Sequence, residues 1–239
     1  MIRTYVVVCT GRSGSWYLID CLNSVPGAAF RGELLNPALA DRRPRWFGRP
    51  VDAAQEALRK GLSGIEAQAR GFKLPLEQLR DLRWPLSRVR EACSPNGWIA
   101  LYREDLLAQY ASAVRAGLTG TWARRADEPV VPLRRRAEFR SADFRRYTVE
   151  VRRLYAGFEA ETAADPVYWV RYEDLRDDAQ RVFDGGLSAA IGCPGACVRP
   201  TLRRVSDGDP LEVFTNAEEA RRWARDPLSR HEPRSAAPC

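Results

Sequence analysis

Histidine is almost absent from this 239-residue chain; His231, in a polar C-terminal stretch, is its only one. Ser-His-Asp and Cys-His catalysis and histidine-built metal centres are therefore disfavoured, so a general base would have to be Glu, Asp, Lys, Tyr or Cys. Lysine is nearly as scarce: Lys60 and Lys73 stand against 36 arginines. No apolar run approaches the ~18 residues of a membrane span. The first ten residues hold an apolar run of about four and no small-residue cleavage signal, which predicts a cytoplasmic protein without a secretory leader. The cysteines are few and ill-spaced for metal. Cys193 and Cys197 form a single C-x-x-x-C with no second pair. Cys9 and Cys21 fall in apolar segments where a thiol acts as a small hydrophobe. Without an export signal the even count of six does not imply disulfides.

What is present describes a folded domain. Hydrophobic residues make up 45% of the chain and there are seven tryptophans, which excludes a disordered class. At this length folding buries roughly 70% of the unfolded surface, enough for one unstapled core. The net charge of +7 favours anionic partners. Yet there is no block of basic residues and no helix-turn-helix or zinc-finger spacing, so nucleic acid is not expected, and most arginines read as solvated surface.

Along the chain, Thr4–Thr10 reads as a buried strand, followed by a glycine turn and a helix that Ser15 could cap. Val25–Arg31, Gly71–Leu74, Gly97–Tyr102 and Pro166–Tyr172 are further strand candidates. Between them, Asp52–Lys60, the Pro85-interrupted Glu77–Val89, Asp105–Gly117, Glu138–Glu161, Ala179–Ile191 and Ala217–Ala224 read as helices. In Glu138–Glu161, Tyr147, Val151, Leu154, Tyr155 and Phe158 share one face. Thr119–Arg136 lacks periodicity and reads as a long loop of the functional kind. Strands alternating with helices predict an α/β fold, one three-layer domain spanning 1–239 with a central parallel sheet flanked by helices and an Arg/Pro-rich tail from about residue 200.

The turn after the first strand, Thr10-Gly-Arg-Ser-Gly-Ser15, fits an anion cradle. Gly11 and Gly14 allow the backbone to curl so that successive N–H groups face one anion, and the helix N-terminus adds positive potential. Ser13 and Ser15 can donate hydroxyl hydrogen bonds, and the Arg12 fork suits a tetrahedral oxyanion. By itself the pattern also fits an ordinary strand-to-helix turn. It is not a Walker A loop, because Ser15 and Trp16 stand where that motif needs Lys and Ser/Thr; nor does it continue as a dinucleotide fingerprint.

Five segments in order give a more specific likeness: Thr10–Leu18, Gly32-Glu-Leu-Leu-Asn-Pro37, Gly71-Phe-Lys73, Tyr102–Ser112 and Val170-Arg-Tyr-Glu-Asp-Leu175, with a weaker sixth at Leu202-Arg-Arg204. Together they resemble sulfotransferases that use 3′-phosphoadenosine 5′-phosphosulfate (PAPS), of the bacterial carbohydrate type that includes the nodulation-factor and trehalose enzymes. The likeness spans about residues 4 to 212. Trp16 departs from it, standing where the family usually has Thr or His.

The resemblance implies a P-loop-like sulfotransferase fold, PAPS as donor, 3′-phosphoadenosine 5′-phosphate (PAP) as product, no metal, a small-molecule or glycan acceptor, and room for a homodimer. It assigns Gly11, Arg12, Ser13, Gly14, Ser15 and Trp16 to the phosphosulfate and Arg103 and Ser112 to the 3′-phosphate, and adds Arg203 and Arg204 as cofactor-binding residues. Glu33 becomes the base, Arg12 the stabiliser of the leaving oxygen and Lys73 a required point charge, since the composition bias would otherwise favour Arg there. Plainer roles remain open: Arg103 could pair with Glu104 or Asp105, Glu33 with Arg31, and Lys73 could end a strand at the surface. The Tyr172-Glu173-Asp174 carboxylates read as structural. Leu34–Arg49 and Thr119–Arg136 are the expected acceptor walls. A P-loop-type small-molecule kinase and a non-catalytic anion- or nucleic-acid-binding module are the competing readings.

Overall fold

The apolar run near the N-terminus forms β1 (Arg3–Cys9), buried from Thr4 onward. Val6 and Val8 enter one core cluster while Tyr5, Val7 and Cys9 enter another, as the period of two requires of a strand covered on both faces. The computed structural model describes residues 2–36, 51–125, 127–203 and 208–234, without the side chains of 51–53, 125 and 203. In it β2 (Ala28–Glu33), β3 (Ala69–Pro75), β4 (Gly97–Tyr102) and β6 (Val167–Arg171) join β1 in one sheet of order β2-β3-β1-β4-β6. Every pairing is parallel. A separate ribbon pairs β5 (Arg124–Arg125) with β7 (Leu202–Arg203) antiparallel.

Helices cover both faces. On one side lie α2 (Val51–Leu62), α3 (Leu76–Leu82), α4 (Leu86–Cys93), α5 (Leu106–Thr119), α6 (Ser141–Glu161) and α10 (Ala217–Trp223). On the other lie α1 (Ser15–Asn23), α7 (Tyr172–Asp177) and the segment of α8 (Ala179–Val182) and α9 (Ser188–Ala190). This is the α/β arrangement expected from the alternation of strands and helices. In α6 the expected stripe faces inward: Val151, Tyr155 and Phe158 are buried. Pro85 divides α3 from α4 as expected. Among the described residues no helix is long and apolar enough to cross a membrane.

Three local expectations are corrected. Ser15 does not cap α1; Gly14 holds that position in the left-handed region, with no side-chain cap. The helix expected over Ala179–Ile191 is interrupted by a π-type turn at Phe183–Leu187, because Gly186 adopts φ 132 beside the Tyr168 ring. His231 is not in a solvated tail. Its amide donates to the Glu104 carbonyl at 2.9 Å, and Asp105 and Arg230 form a β-bridge. The imidazole is buried, 4.9 Å from the Tyr155 ring.

Burial, reinforced by Arg152, holds His231 down at about 4 against an ordinary 6.5. The unfolded chain binds a proton that the folded chain refuses, so stability is lost as pH falls through this window. Between about pH 6.5 and 4 the protein should lose about 2 to 3 kcal/mol on this account. His231→Phe, which keeps a ring against Tyr155, should flatten that acid limb in urea unfolding; an unchanged limb would contradict the assignment.

Candidate functional site

β1 ends between β3 and β4, the point where the strand order reverses. Open α/β sheets bind ligands in this crevice, at the carboxyl ends of their strands. The chain leaves β1 through Thr10–Gly14, and two residues take positive φ, Arg12 at 63° and Gly14 at 90°. For Arg12 this is a sparsely populated conformation that costs energy. At Gly14 glycine is required twice, since a Cβ there would lie 2.3 Å from the Tyr172 ring.

The turn is held from beneath. The Tyr155 hydroxyl accepts from the Thr10 amide at 3.2 Å and donates to the Leu101 carbonyl at 2.5 Å, joining the ends of β1 and β4. Gln109 Nε2 donates to Thr10 Oγ1 (2.9 Å) and the Gly11 carbonyl (2.6 Å). The Ser13 hydroxyl is fully buried and donates to the Thr10 carbonyl at 2.9 Å, so it braces the turn instead of facing outward.

The turn floors a cavity of about 1160 Å³. Arg12 crosses it, donating from Nε to Ser112 Oγ at 3.1 Å and from Nη1 to the Trp122 carbonyl at 2.5 Å. Burial, and then Arg103, push the Arg12 guanidinium below its ordinary value; it stays cationic all the same. Arg103 lies 4.8 Å over the Tyr172 ring and 4.0 Å from Glu173. Its Nε is buried without a hydrogen-bond partner, as is that of Arg115, one turn beyond Ser112 on α5. Glu173 accepts from the amides of Glu104 (3.1 Å) and Asp105 (3.3 Å), while Asp174 pairs with Arg171 at 2.6 Å. These two carboxylates are thus structural, as expected, and they fix the turn that presents Arg103.

On the opposite wall, the β2–β3 register shifts between Arg31 and Glu33. Such a bulge re-aims the next side chain and sets Glu33 beside Lys73. Their charged atoms are 2.5 Å apart, with Lys73 4% exposed. Glu33 Oε2 also accepts from Asn36 (2.5 Å) and Gln78 (2.7 Å). Trp16 explains itself here: its ring covers Lys73 Nζ at 4.3 Å and lies so close to Gly32 that a Cβ there would be 2.5 Å away. Ser15 is buried and lines the cavity. The turn at Gly11 meets Glu77 on α3, whose Oε1 accepts the Gly11 amide at 2.8 Å.

The structure therefore brings Gly11, Arg12, Gly14, Ser15, Trp16, Glu33, Lys73, Arg103 and Ser112 to one cavity and turns Ser13 inward. The Arg203 side chain and the whole of Arg204 lie outside the described residues, although Leu202 lines the rim. Of the two expected acceptor walls, Asn36 represents the first, residues 37–49 being outside the described residues; Trp122, Ala123 and Arg124 represent the second.

The fold matches that of a solved structure. The sulfotransferase from Alicyclobacillus acidocaldarius superposes with a TM-score of 0.52 over 89% of each chain at 14% identity. The chain shares that enzyme's fold. The sulfotransferase domain from the curacin biosynthetic pathway aligns over 88% of this chain and 80% of its own, with a TM-score of 0.46 and 15% identity. No family model and no curated protein matches the sequence.

Sequence reasoning missed Glu77 and Arg115. A Glu in the first turn of a helix reads as a partner of the helix dipole, and one arginine among 36 carries no signal. The spacing Ser112-x-x-Arg115, one face of one helix, was the available clue.

Removing one partner of a buried pair leaves an uncompensated charge, whereas removing both can be nearly neutral. Lys73→Met should cost about 3 to 5 kcal/mol. Adding Glu33→Gln should recover most of it in a double-mutant cycle measured by urea unfolding. Additive costs would show that the pair is not coupled.

Proposed function

We propose that the protein transfers a sulfuryl group from PAPS to a hydroxyl of a carbohydrate, glycolipid or glycosylated small molecule. The observation that carries this reading is the convergence in one cavity of the Thr10–Ser15 turn with Arg12, Arg103 and Arg115. Two of these guanidinium groups, those of Arg103 and Arg115, hold buried Nε atoms that make no hydrogen bond, and buried donors of that kind call for acceptors. A nucleotide with two separated anionic ends supplies them. The fold shared with a solved sulfotransferase and the five sequence motifs favour the same donor.

In this reading the phosphosulfate lies against the turn and the N-terminus of α1, where amides and the helix end favour an anion. Arg103, Ser112 and Arg115 hold the 3′-phosphate, with Arg203 and Arg204 expected to join them. PAPS brings an activated sulfuryl group on a good leaving phosphate. The chain contributes position and charge. Arg12, poised between Ser112 and the turn, stabilises charge on the leaving oxygen. Lys73, fixed by Glu33 and the Trp16 ring, faces the transferred group with a compact positive charge. The acceptor proton goes to Glu33, on the wall that carries Lys73. The loop carrying Trp122 forms the acceptor wall.

Adenosine 3′,5′-bisphosphate, which is PAP, should raise the melting temperature, because a ligand that binds only the folded state stabilises it by mass action. Arg103→Ala should weaken its binding by about 10- to 100-fold, the loss of one or two charge-assisted hydrogen bonds. Labelled PAPS with a panel of sugar acceptors should give sulfated product by mass. Glu33→Gln should retain the nucleotide and lose transfer, and Lys73→Arg should lose transfer as well. No melting shift at saturating nucleotide would remove the donor assignment; full turnover in Lys73→Arg would remove the need for a point charge.

A further inference from the structure

Six large apolar side chains stand exposed among the described residues, and four of them, Leu118, Trp122, Val130 and Val131, fall in one short stretch of chain. Single exposed apolar residues are ordinary, whereas a cluster of them marks a contact surface. The stretch leaves the cavity and returns to it. At its start Arg12 holds the Trp122 carbonyl, and Trp122 lines the cavity. At its end the Ala137 amide donates to the Val213 carbonyl at 2.9 Å, in the Pro210–Val213 turn whose first residue lines the same cavity.

Between those anchors the chain runs over the outside. Every residue from Asp127 to Pro132 is exposed, none of them lines the cavity, and Leu133 packs back against the core. Pro129 and Pro132 bracket the two valines and fix their own φ, so Val130 and Val131 are shown to solvent on a stiff strap. Arg134, Arg135 and Arg136 follow, all exposed, and none pairs with a described carboxylate. Elsewhere on the surface Arg80, Arg140, Arg146 and Arg221 each meet one. Over residues 118–136 the sequence sets five arginines against Asp127 and Glu128.

We propose that this strap docks the protein on an anionic lipid bilayer, with Trp122, Val130 and Val131 entering the headgroup layer and Arg134, Arg135 and Arg136 on its phosphates. Tryptophan suits a boundary that is apolar on one side and wet on the other, and the valines supply buried apolar area at shallow depth. Arginine forks hold phosphate oxygens through paired hydrogen bonds. Unpaired arginines beside exposed apolar side chains complement a surface that is negative outside and apolar just beneath. A protein partner would need a recess shaped to a projecting strap, whereas a fluid headgroup layer receives it without one. The cavity, at the foot of the strap, then lies beside the lipid surface. The docking stands whether or not the cavity transfers sulfuryl groups.

The test uses the full chain and sucrose-loaded vesicles of phosphatidylcholine, with and without about 30% phosphatidylglycerol. At low salt the protein should sediment with the anionic vesicles and stay in solution with the neutral ones. Raising the salt should weaken the binding, because screening shortens the reach of the arginines. Replacing Arg134, Arg135 and Arg136 together by serine should weaken it roughly a hundredfold, and Val130→Ser with Val131→Ser about tenfold. All five side chains are exposed, so both variants should melt with the wild type. A readout that needs neither variant is acrylamide quenching: anionic vesicles should shield tryptophan emission in the wild type, and Trp122→Phe should lose most of that shielding. No sedimentation with anionic vesicles, equal sedimentation with neutral ones, or shielding unchanged in Trp122→Phe would overturn the proposal. So would wild-type affinity in the serine variant of the valines; if soluble polyglutamate also displaced the vesicles, the strap would instead be a site for an acidic protein.

Discussion

The buried hydroxyl of Tyr155 is the pin on which the site turns. It meets the Thr10 amide and the Leu101 carbonyl at once, and so ties the end of β1, where the anion turn begins, to the end of β4, where Arg103 begins. No water can substitute for it, because the ring is fully buried, and an unpaired amide or carbonyl there would cost about 1 to 3 kcal/mol. The C-terminal segment leans on the same ring through His231, while its backbone holds Glu104 and Asp105. The C-terminal segment thus braces the strand ends from which Arg12 and Arg103 project.

Around that pin the chain holds like charges close together. Burial first, and then the charge of Arg103, holds the Arg12 guanidinium below its ordinary value. Aromatic faces and backbone carbonyls, weaker partners than carboxylates, hold these cations: Tyr172 under Arg103, and Trp122 with its carbonyl at Arg12. Lys73 meets the Glu33 carboxylate at 2.5 Å, whereas Arg103 reaches Glu173 only at 4.0 Å. A site so built fits the polyanionic donor proposed above, because folding has already ordered and partly dehydrated the donors. The strained turn at Arg12 belongs to the same economy of preorganisation.

Much of this was legible in the sequence, for definite reasons. β1 is an uninterrupted β-rich run, and the turn after it was marked by Gly14, where positive φ and close approach both select glycine. The stripe of α6 follows from a period of 3.6. Lys73 stood out against a composition that would have supplied Arg, and it proved to be the most buried cation of the site. Trp16 read as a departure; the structure turns it into the cover of Lys73, a contact across two strands that no local pattern encodes.

Other features were not legible because they arise between elements distant in the chain. Ser15 satisfied every local rule for a cap, yet Tyr172, more than 150 residues on, leaves room only for glycine at the capping position. Glu77 looked like a dipole partner until α3 was docked against the turn at Gly11. His231 lay in a stretch with no apolar run, and it is burial against Tyr155 and Tyr102 that removes its charge. The sequence by itself determined the order of strands and helices, the glycine turn after β1 and the identity of the charged groups, since those depend on φ, periodicity and composition. Only the tertiary structure decided which charged groups are paired, because dehydration and partnership are properties of packing.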